Sequence, residues 1–204
     1  MDTPDLLRIA AFEMRSHGLA PEFTTAALSE AQALPEPVPA EPGDVRNQRE
    51  RLWFSIDNAD TLDLDQLSWA HSLADGAIRL AVAVADVALR VPRDSALDAH
   101  AAANTTSVYT AARIFPMLPT RLSNDLTSLR EGADRHAVVV EMDIDGDGAV
   151  TASQLYRAQV RNQAKLDYDS IAAWLDGSSA APARVAASHG LRMLLCKRTR
   201  NGNR

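Results

Sequence analysis

Apolar residues fall at helical spacing near the start of the chain and in a few short stretches later; most of the remaining pattern is that of strands. Leu6, Leu7, Ala10 and Met14 share one face of a helix that Thr3 caps and Pro4 opens, and Gly18 follows its end. A second helix is predicted from Thr24 or Thr25 to Leu34. The segment from Pro35 to Gly43 holds four prolines, which deny regular structure and read as a linker. Leu52 to Ile56 reads as a strand, Gln66 to Leu73 as another, and Ala77 to Arg90 as one long or two short strands after an Asp75-Gly76 turn. The run Leu80 to Ala85 is apolar at every position, which predicts a central strand covered on both sides. Ser95 to Ala103 is helical in composition, and His136 to Ile144 with Ala149 to Val160 predicts a hairpin across the glycine-rich turn at 145–148. Asp169 is expected to cap a helix from Ser170 to Leu175, and Pro182 to open another. Strands and helices mix without the alternation of a doubly wound sheet, so the expected class is α+β, an irregular mixed α/β domain. The predicted division is a helical appendage at 1–34, a proline-rich linker at 35–50, a main domain at 51–190 and a basic tail at 191–204.

Composition narrows the function classes. With 204 residues, 46% of them hydrophobic, the chain can bury a real core. Its best apolar stretch, Ala77 to Val91, is interrupted by Arg79, Asp86 and Arg90, so no membrane span is expected. The acidic N-terminus Met1-Asp2-Thr3-Pro4-Asp5 lacks the features of an export signal, which leads to the expectation of a cytoplasmic location. The single cysteine, Cys196, excludes an internal disulfide and cysteine-based zinc sites. A net charge of −6 would argue against nucleic acid, but it is uneven. Residues 192–204 hold five basic residues and no acid, which leaves 16 basic and 27 acidic residues, a balance of −11, for the rest.

The richest segment chemically is Ile56-Asp57-Asn58-Ala59-Asp60-Thr61-Leu62-Asp63-Leu64-Asp65-Gln66, with four carboxylates in nine residues after an apolar strand. If 63–65 is extended, Asp63 and Asp65 share a face, and a turn at 58–62 would bring Asp57 beside them. Convergent carboxylates repel unless a cation sits among them, and hard oxygen ligands suit Mg²⁺ or Mn²⁺. Taken alone, the spacing leaves a solvated acidic loop open as the other reading. A second acidic run, Asp143-Ile-Asp145-Gly-Asp147-Gly148, imitates a calcium loop. Gln154 stands where the bidentate Glu belongs, and Val138 to Val140 replaces the entering helix, so a hairpin turn is the expectation. His71, His100 and His136 are scattered and suggest no nucleophilic catalysis, and Trp53, Trp69 and Trp174 fall in apolar segments as expected core. Asp86, inside an apolar run, must meet a partner, because an unpaired buried charge is costly.

The acidic segment resembles the signature of the ribonuclease II and ribonuclease R family, the RNB-domain exoribonucleases. The likeness continues through Leu80 to Val87, Thr106-Ser107-Val108-Tyr109, Phe115 to Pro119, and Leu122 to Leu129, ordered matches beyond the acids, and the resemblance covers about Arg51 to Gly177. The resemblance implies hydrolysis of single-stranded RNA from its 3′ end to nucleoside 5′-monophosphates, with Mg²⁺ or Mn²⁺ as cofactor and no DNA or membrane as partner. Carried over, Asp57, Asp63 and Asp65 match metal-holding or catalytic aspartates, and Gln66 takes the fourth aspartate's place, supplying an oxygen without a charge. Asp60 is an extra acid that proximity offers as a substitute. Tyr109 matches a tyrosine that stacks on a base near the RNA 3′ end, where without the resemblance a core tyrosine would be expected; Asn124 and Asp125 read as loop structure near the site. The likeness spans what looks like the N-terminal part of an RNB domain, and nothing from about Leu191 matches a family feature, which suggests a gene fragment, premature stop or frameshift. Two functions follow: a metal-dependent exoribonuclease, or a catalytically impaired truncated fragment that at most binds RNA.

Overall fold

The computed structural model describes residues 3–36, 45–73, 76–187, 192 and 195. In chain order the elements are helices α1 (Thr3–Ser16) and α2 (Thr25–Ala33), strands β1 (Arg46–Asn47), β2 (Trp53–Asp57), β3 (Gln66–Ser72) and β4 (Ile78–Ala85), a 3₁₀ turn at Val87–Leu89, helix α3 (Ala96–Asn104), strands β5 (Val108–Tyr109) and β6 (Ile114–Phe115), a π-helical turn at Leu122–Leu126, strands β7 (Asp134–Ile144) and β8 (Val150–Asp167), and helices α4 (Tyr168–Leu175) and α5 (Ala183–Ala187). The α+β expectation holds. The chain forms two compact units, Met1–Ala40 with Val87–Leu126, and Glu41–Asp86 with Thr127–Arg204. The residues expected as one main domain from 51 are therefore shared between the units, and the two N-terminal helices group with 87–126.

The second unit is a sheet that closes on itself. β2, β3, β4 and β7 are successive antiparallel neighbours, and β8 closes the ring by pairing antiparallel to β7 and parallel to β1 and β2. One strand serves two neighbours because it runs 18 residues, far past the predicted end at Val160. Its first part lies on β7, from Val150 to Arg161, and its last part on β2, up to the pair Asp57 and Asp167. Arg46 and Asn47, predicted as linker, pair with Ala158 and Gln159, so the sheet begins before Arg51. Of the linker itself, residues 37–44 lie outside the described residues.

Alternation along these strands fills the barrel. Trp53, Leu67, Ala81, Ala83, Ala137, Val139, Ala158 and Val160 point inward and are fully or almost fully buried, with Leu64 and Leu129 closing the core. The alanines of β4 and β7 leave room for the indole of Trp53, the small-against-large filling of narrow barrels. This corrects the reading of β4 as covered on both sides: Ala81 and Ala83 are buried, whereas Val84 on the outer face is 46% exposed. In an all-apolar run only the partner strands decide which parity faces in. Trp69 is partly buried against the same core, and Trp174 packs partly buried against a second cluster of Phe54, Ala164, Leu166, Ile171, Val185 and Leu195. The hairpin turn at 145–148 forms as predicted, with Gly148 at φ +88°. Helix α4 is capped by Asp167, whose carboxylate accepts from the Ser170 N–H at 2.8 Å, and not by Asp169; the longer β8 moves the cap back.

In the first unit, Ala27 and Ala31 of α2 pack with Leu97, Leu118 and Leu122. Thr24 caps α2 and Ser95 caps α3, each side chain accepting from the backbone N–H three residues on. Glu30 adds a cap that no local pattern shows: its carboxylate accepts the N–H groups of Ala96 and Leu97 at 3.0 and 2.9 Å. At the other end of α2, Arg121 donates to the carbonyls of Ala31 and Leu34, and Arg90 to those of Pro35 and Glu36. On α1, Met14 is buried but Leu7 of the predicted face is exposed.

One end of the barrel core is closed by charge. Glu141, with its side chain 4% exposed, accepts from Arg51, from the Tyr156 hydroxyl at 3.0 Å and from Gln154 at 2.6 Å, and the Arg51 guanidinium lies over the Trp69 ring. Burial alone would raise the Glu141 carboxyl, but the hydrogen bonds from Arg51 and Tyr156 outweigh it and hold the group below its ordinary 4.5. A carboxyl depressed by folding stabilises above its unfolded pKa and loses that contribution as pH falls through the folded value. Chemical denaturation should therefore show the chain losing stability below about pH 4.5, and Glu141→Ala should lower stability at neutral pH by about 3 kcal/mol, because Arg51 is left without its counter-charge, while flattening the acid limb of the profile.

Candidate functional site

β2 and β8 run parallel and end together, so Asp57 and Asp167 are register partners at one end of the barrel. From there the chain crosses to β3 through residues 58–65. Asp57 shapes the start of that crossing: its Oδ1 accepts from the Asn58 N–H at 2.8 Å and from the Thr61 hydroxyl at 2.9 Å, and the Thr61 N–H bonds the Asn58 carbonyl at 3.1 Å. The predicted turn at 58–62 is thus built on the first aspartate. Lys165, on β8 beside Ser55, donates through Nζ to the carbonyls of Ala59 and Thr61 at 2.8 and 2.7 Å.

The second half of the crossing is pinned to residues 128–129. The Ser128 hydroxyl donates to the Leu62 carbonyl at 2.7 Å and accepts from the Leu64 N–H at 3.2 Å; the Leu129 N–H bonds the Leu64 carbonyl at 2.7 Å. Leu64 is driven into the core, 3% exposed, so Asp63 and Asp65 on either side of it stand exposed together. The Asp65 carbonyl accepts from the Ala85 N–H at 2.9 Å, which leads directly into β3, where Gln66 is exposed opposite Val84.

Asp57 and Asp65 bear on Asp63. The Asp63 carboxyl is raised above its ordinary value, first by partial loss of hydration, then by the charges of Asp65 and Asp57. Among the described residues no cation pairs with Asp57, Asp60, Asp63 or Asp65. Among the described residues, too, no three His, Cys, Asp or Glu side chains are close enough to hold a metal ion as they stand. The donor chemistry, three carboxylates and an amide oxygen in a field of mutual repulsion, fits a hard divalent cation; the side chains would have to draw together around it. Asp60 is exposed on the turn and Asp167 is committed to its cap, where the Ser170 hydrogen bonds hold its carboxyl below the usual range.

Tyr109 belongs to the other unit. In the β5–β6 hairpin Val108 pairs with Phe115 and Tyr109 with Ile114; Phe115 is buried and Tyr109 is 72% exposed. A core role for this tyrosine is excluded, and its ring faces are accessible. A second exposed aromatic was not foreseen. Tyr168 is 52% exposed next to Asp167, at the barrel end that carries Asp57. The signal was available in Asp167-Tyr168-Asp169-Ser170, a cap sequence that ends β8 and turns the next side chain outward.

The remaining acids are structural. Asp86 is buried with Arg157 Nε 2.9 Å from its Oδ2 as an ion pair, and since that oxygen makes no hydrogen bond, the partner it meets is a counter-charge and not the expected hydrogen-bond partner. Asp145 of the calcium-like run uses its carboxylate on the N–H groups of Asp147 and Ala149 at 3.0 and 2.9 Å, between two strands, so the run is a hairpin turn. Asn124 and Asp125 lie in the π-helical turn.

The profile of the family described as RNB domain matches residues 45–200. The chain belongs to the RNB domain family. The match runs beyond the Arg51–Gly177 stretch on both sides and into the basic segment set apart from 191, where Leu195 packs into the second barrel cluster. Over 175 residues the RNB chain is 37% identical to ribonuclease R of Acidithiobacillus ferrooxidans, covering 85% of this chain and 40% of that one. It is 35% identical over 179 residues to ribonuclease R 1 of Lactococcus lactis, covering 87% of this chain and 21% of the relative. The structure of Mycoplasma genitalium RNase R in complex with double-stranded RNA matches 93% of this chain and 34% of its own at 27% identity and a TM-score of 0.79. The chain thus spans two fifths or less of the length of these relatives. No helix among the described residues of the RNB chain is long and apolar enough to cross a membrane.

Removing the Ser128 hydroxyl deprives the Leu64 N–H and the Leu62 carbonyl of their partner at once. Ser128→Ala should cost about 1–3 kcal/mol, the penalty for buried unsatisfied groups, read as a lower denaturation midpoint.

Proposed function

We propose that this chain carries the acidic centre of a metal-dependent exoribonuclease that hydrolyses single-stranded RNA from the 3′ end to nucleoside 5′-monophosphates in the cytoplasm. The observation that carries the reading is the grouping of Asp57, Asp63 and Asp65 at one barrel end, where Asp63 feels the charges of the other two, in a chain of the RNB domain family. Asp57, Asp63 and Asp65 would hold Mg²⁺ or Mn²⁺, with Gln66 offering a neutral oxygen. A bound ion there would polarise a phosphoryl oxygen and lower the pKa of a water. The protein's own part is to hold the carboxylates at fixed points on a rigid barrel, so that the scissile phosphate meets an ordered set of oxygens. Tyr109 presents a free ring on which a base can stack, a contact worth about 1–3 kcal/mol and indifferent to base identity. Tyr168 offers a second aromatic surface beside the acids. Relatives solved with RNA, such as the Mycoplasma genitalium enzyme with single-stranded RNA, favour RNA as partner.

Gln66 favours a second reading, RNA binding without turnover. The amide removes one unit of negative charge from a site whose acids are not drawn together among the described residues. The two readings separate on labelled single-stranded RNA with Mg²⁺ or Mn²⁺. Hydrolysis predicts nucleoside monophosphate release that falls at least about a hundredfold in Asp65→Asn, the scale of losing charge that stabilises a transition state. Gln66→Asp should raise the rate by restoring the fourth charge, and an unchanged rate in Asp60→Asn would remove Asp60 as a substitute ligand. Retention of RNA with no product at any metal concentration selects binding alone.

A further inference from the structure

The barrel end holds two devices that fix the acidic crossing, and only one is a charge. Ser128 and Leu129 tether residues 62–64 through neutral hydrogen bonds. Residues 59–61 are held instead by the Lys165 ammonium, which reaches two carbonyls of the turn. One of them belongs to Thr61, whose hydroxyl holds Asp57 Oδ1. A chain of contacts therefore runs from β8 through Lys165 and Thr61 to the first aspartate. Lys165 pairs across the sheet with Ser55, two residues before Asp57, and its own N–H bonds Glu131 at 3.2 Å, so its base is fixed from both sides. The ammonium uses its donors on backbone oxygens and makes no ion pair with Asp57, Asp60, Asp63 or Asp65 among the described residues.

We propose that Lys165 is a positioning residue that clamps the 58–61 turn and thereby sets where Asp57 stands for a divalent cation. The proposal rests on the metal-dependent reading above and adds to it a residue outside the acidic segment. Its sign is unusual and makes it testable. A lysine acting only as a nearby positive charge opposes a cation, so removing it would tighten metal binding. A lysine acting as a clamp preorganises the ligands, so removing it loosens metal binding although the site becomes more negative.

The full chain as Lys165→Met, Lys165→Arg and Asp65→Asn answers this with two measurements. Mn²⁺ alone is the probe for the first, by calorimetry or paramagnetic titration. The proposal expects Lys165→Met to bind Mn²⁺ at least threefold more weakly than the parent, with Lys165→Arg restoring most of the loss because it keeps both the charge and several donors. Tighter or unchanged Mn²⁺ binding in Lys165→Met overturns it. Amide hydrogen exchange is the second and needs no metal: the Asn58 and Thr61 N–H groups, bonded within the turn, should exchange faster in Lys165→Met while the β7 and β8 amides keep their protection. Unchanged exchange at 58 and 61 overturns the clamp, and loss of protection throughout the barrel overturns it in favour of a general structural role. Failure of the metal-dependent reading looks different: the parent chain then shows no saturable Mn²⁺ binding that Asp65→Asn abolishes, and faster exchange at 58 and 61 in Lys165→Met still supports the clamp.

Discussion

The parallel pairing of β2 with the far half of β8 is the constraint on which the rest of the barrel depends. Parallel neighbours cannot be joined by a tight turn, and here more than ninety residues separate the end of β2 from the start of β8. That detour contains β3, β4 and β7, which supply the other walls, and all of the first unit after residue 86. Closure pairs β2 along one edge with β8 from Trp53 to Asp57, and with β3 at Phe54 on the other, and brings the ends of two parallel strands to one place. The acids follow from that geometry. Asp57 ends one strand, Asp167 ends the other, and the crossing that carries Asp63 and Asp65 must start where β2 stops.

Placing carboxylates there has a cost that the barrel meets by dividing labour. Asp167 is spent on a helix cap, Asp57 gives one oxygen to its own turn, and Asp63 and Asp65 are left in solvent by the burial of Leu64 between them. A leucine 3% exposed in a loop is what makes the alternation count: the side chain that fills the core dictates that its neighbours face out. Hydrogen bonds from the Ser128 hydroxyl, the Leu129 N–H and the Lys165 ammonium then use up the carbonyls that a mobile loop would present to water. Negative charge is concentrated while the chain beneath it is held in place by hydrogen bonds.

Much of this was legible from the residues. The strand segments near 52–56 and 66–73, the helices near 24–34 and 95–103, and the 145–148 turn are local facts, written within a few positions of one another. The ordered motifs from Asp57 to Leu129 identified the family because several short matches at fixed separations constrain more than any one. The misreadings share a different origin. β8 was cut short at Val160 because its second half, Arg161 to Asp167, alternates polar and apolar residues for a neighbour a hundred residues earlier in the chain. Arg46 and Asn47 look like linker because a two-residue strand carries no periodicity. Glu30 capping α3, Ser128 bridging Leu62 and Leu64, and Lys165 reaching Ala59 and Thr61 are pairings across 64 or more residues, and nothing in the local pattern encodes them.

Gln66 shows how the two levels combine. By sequence it is a lost charge at a position where the family places aspartate. In the fold it is the first residue of β3, anchored by its pairing with Val84 and by the neighbouring Asp65 carbonyl, which accepts from Ala85. Its side chain therefore springs from a fixed backbone whatever it carries. Replacing a carboxylate by an amide there alters charge and leaves direction alone, so under the proposed metal-dependent reading its effect would fall on the strength with which a cation is drawn in and on the hydrogen bonds its amide can donate. The barrel does not need that charge, because no described cation is balanced against it. The strand itself is held by Leu67 in the core and by Trp69 packed against it, so the exposed side chain at 66 adds little to its stability.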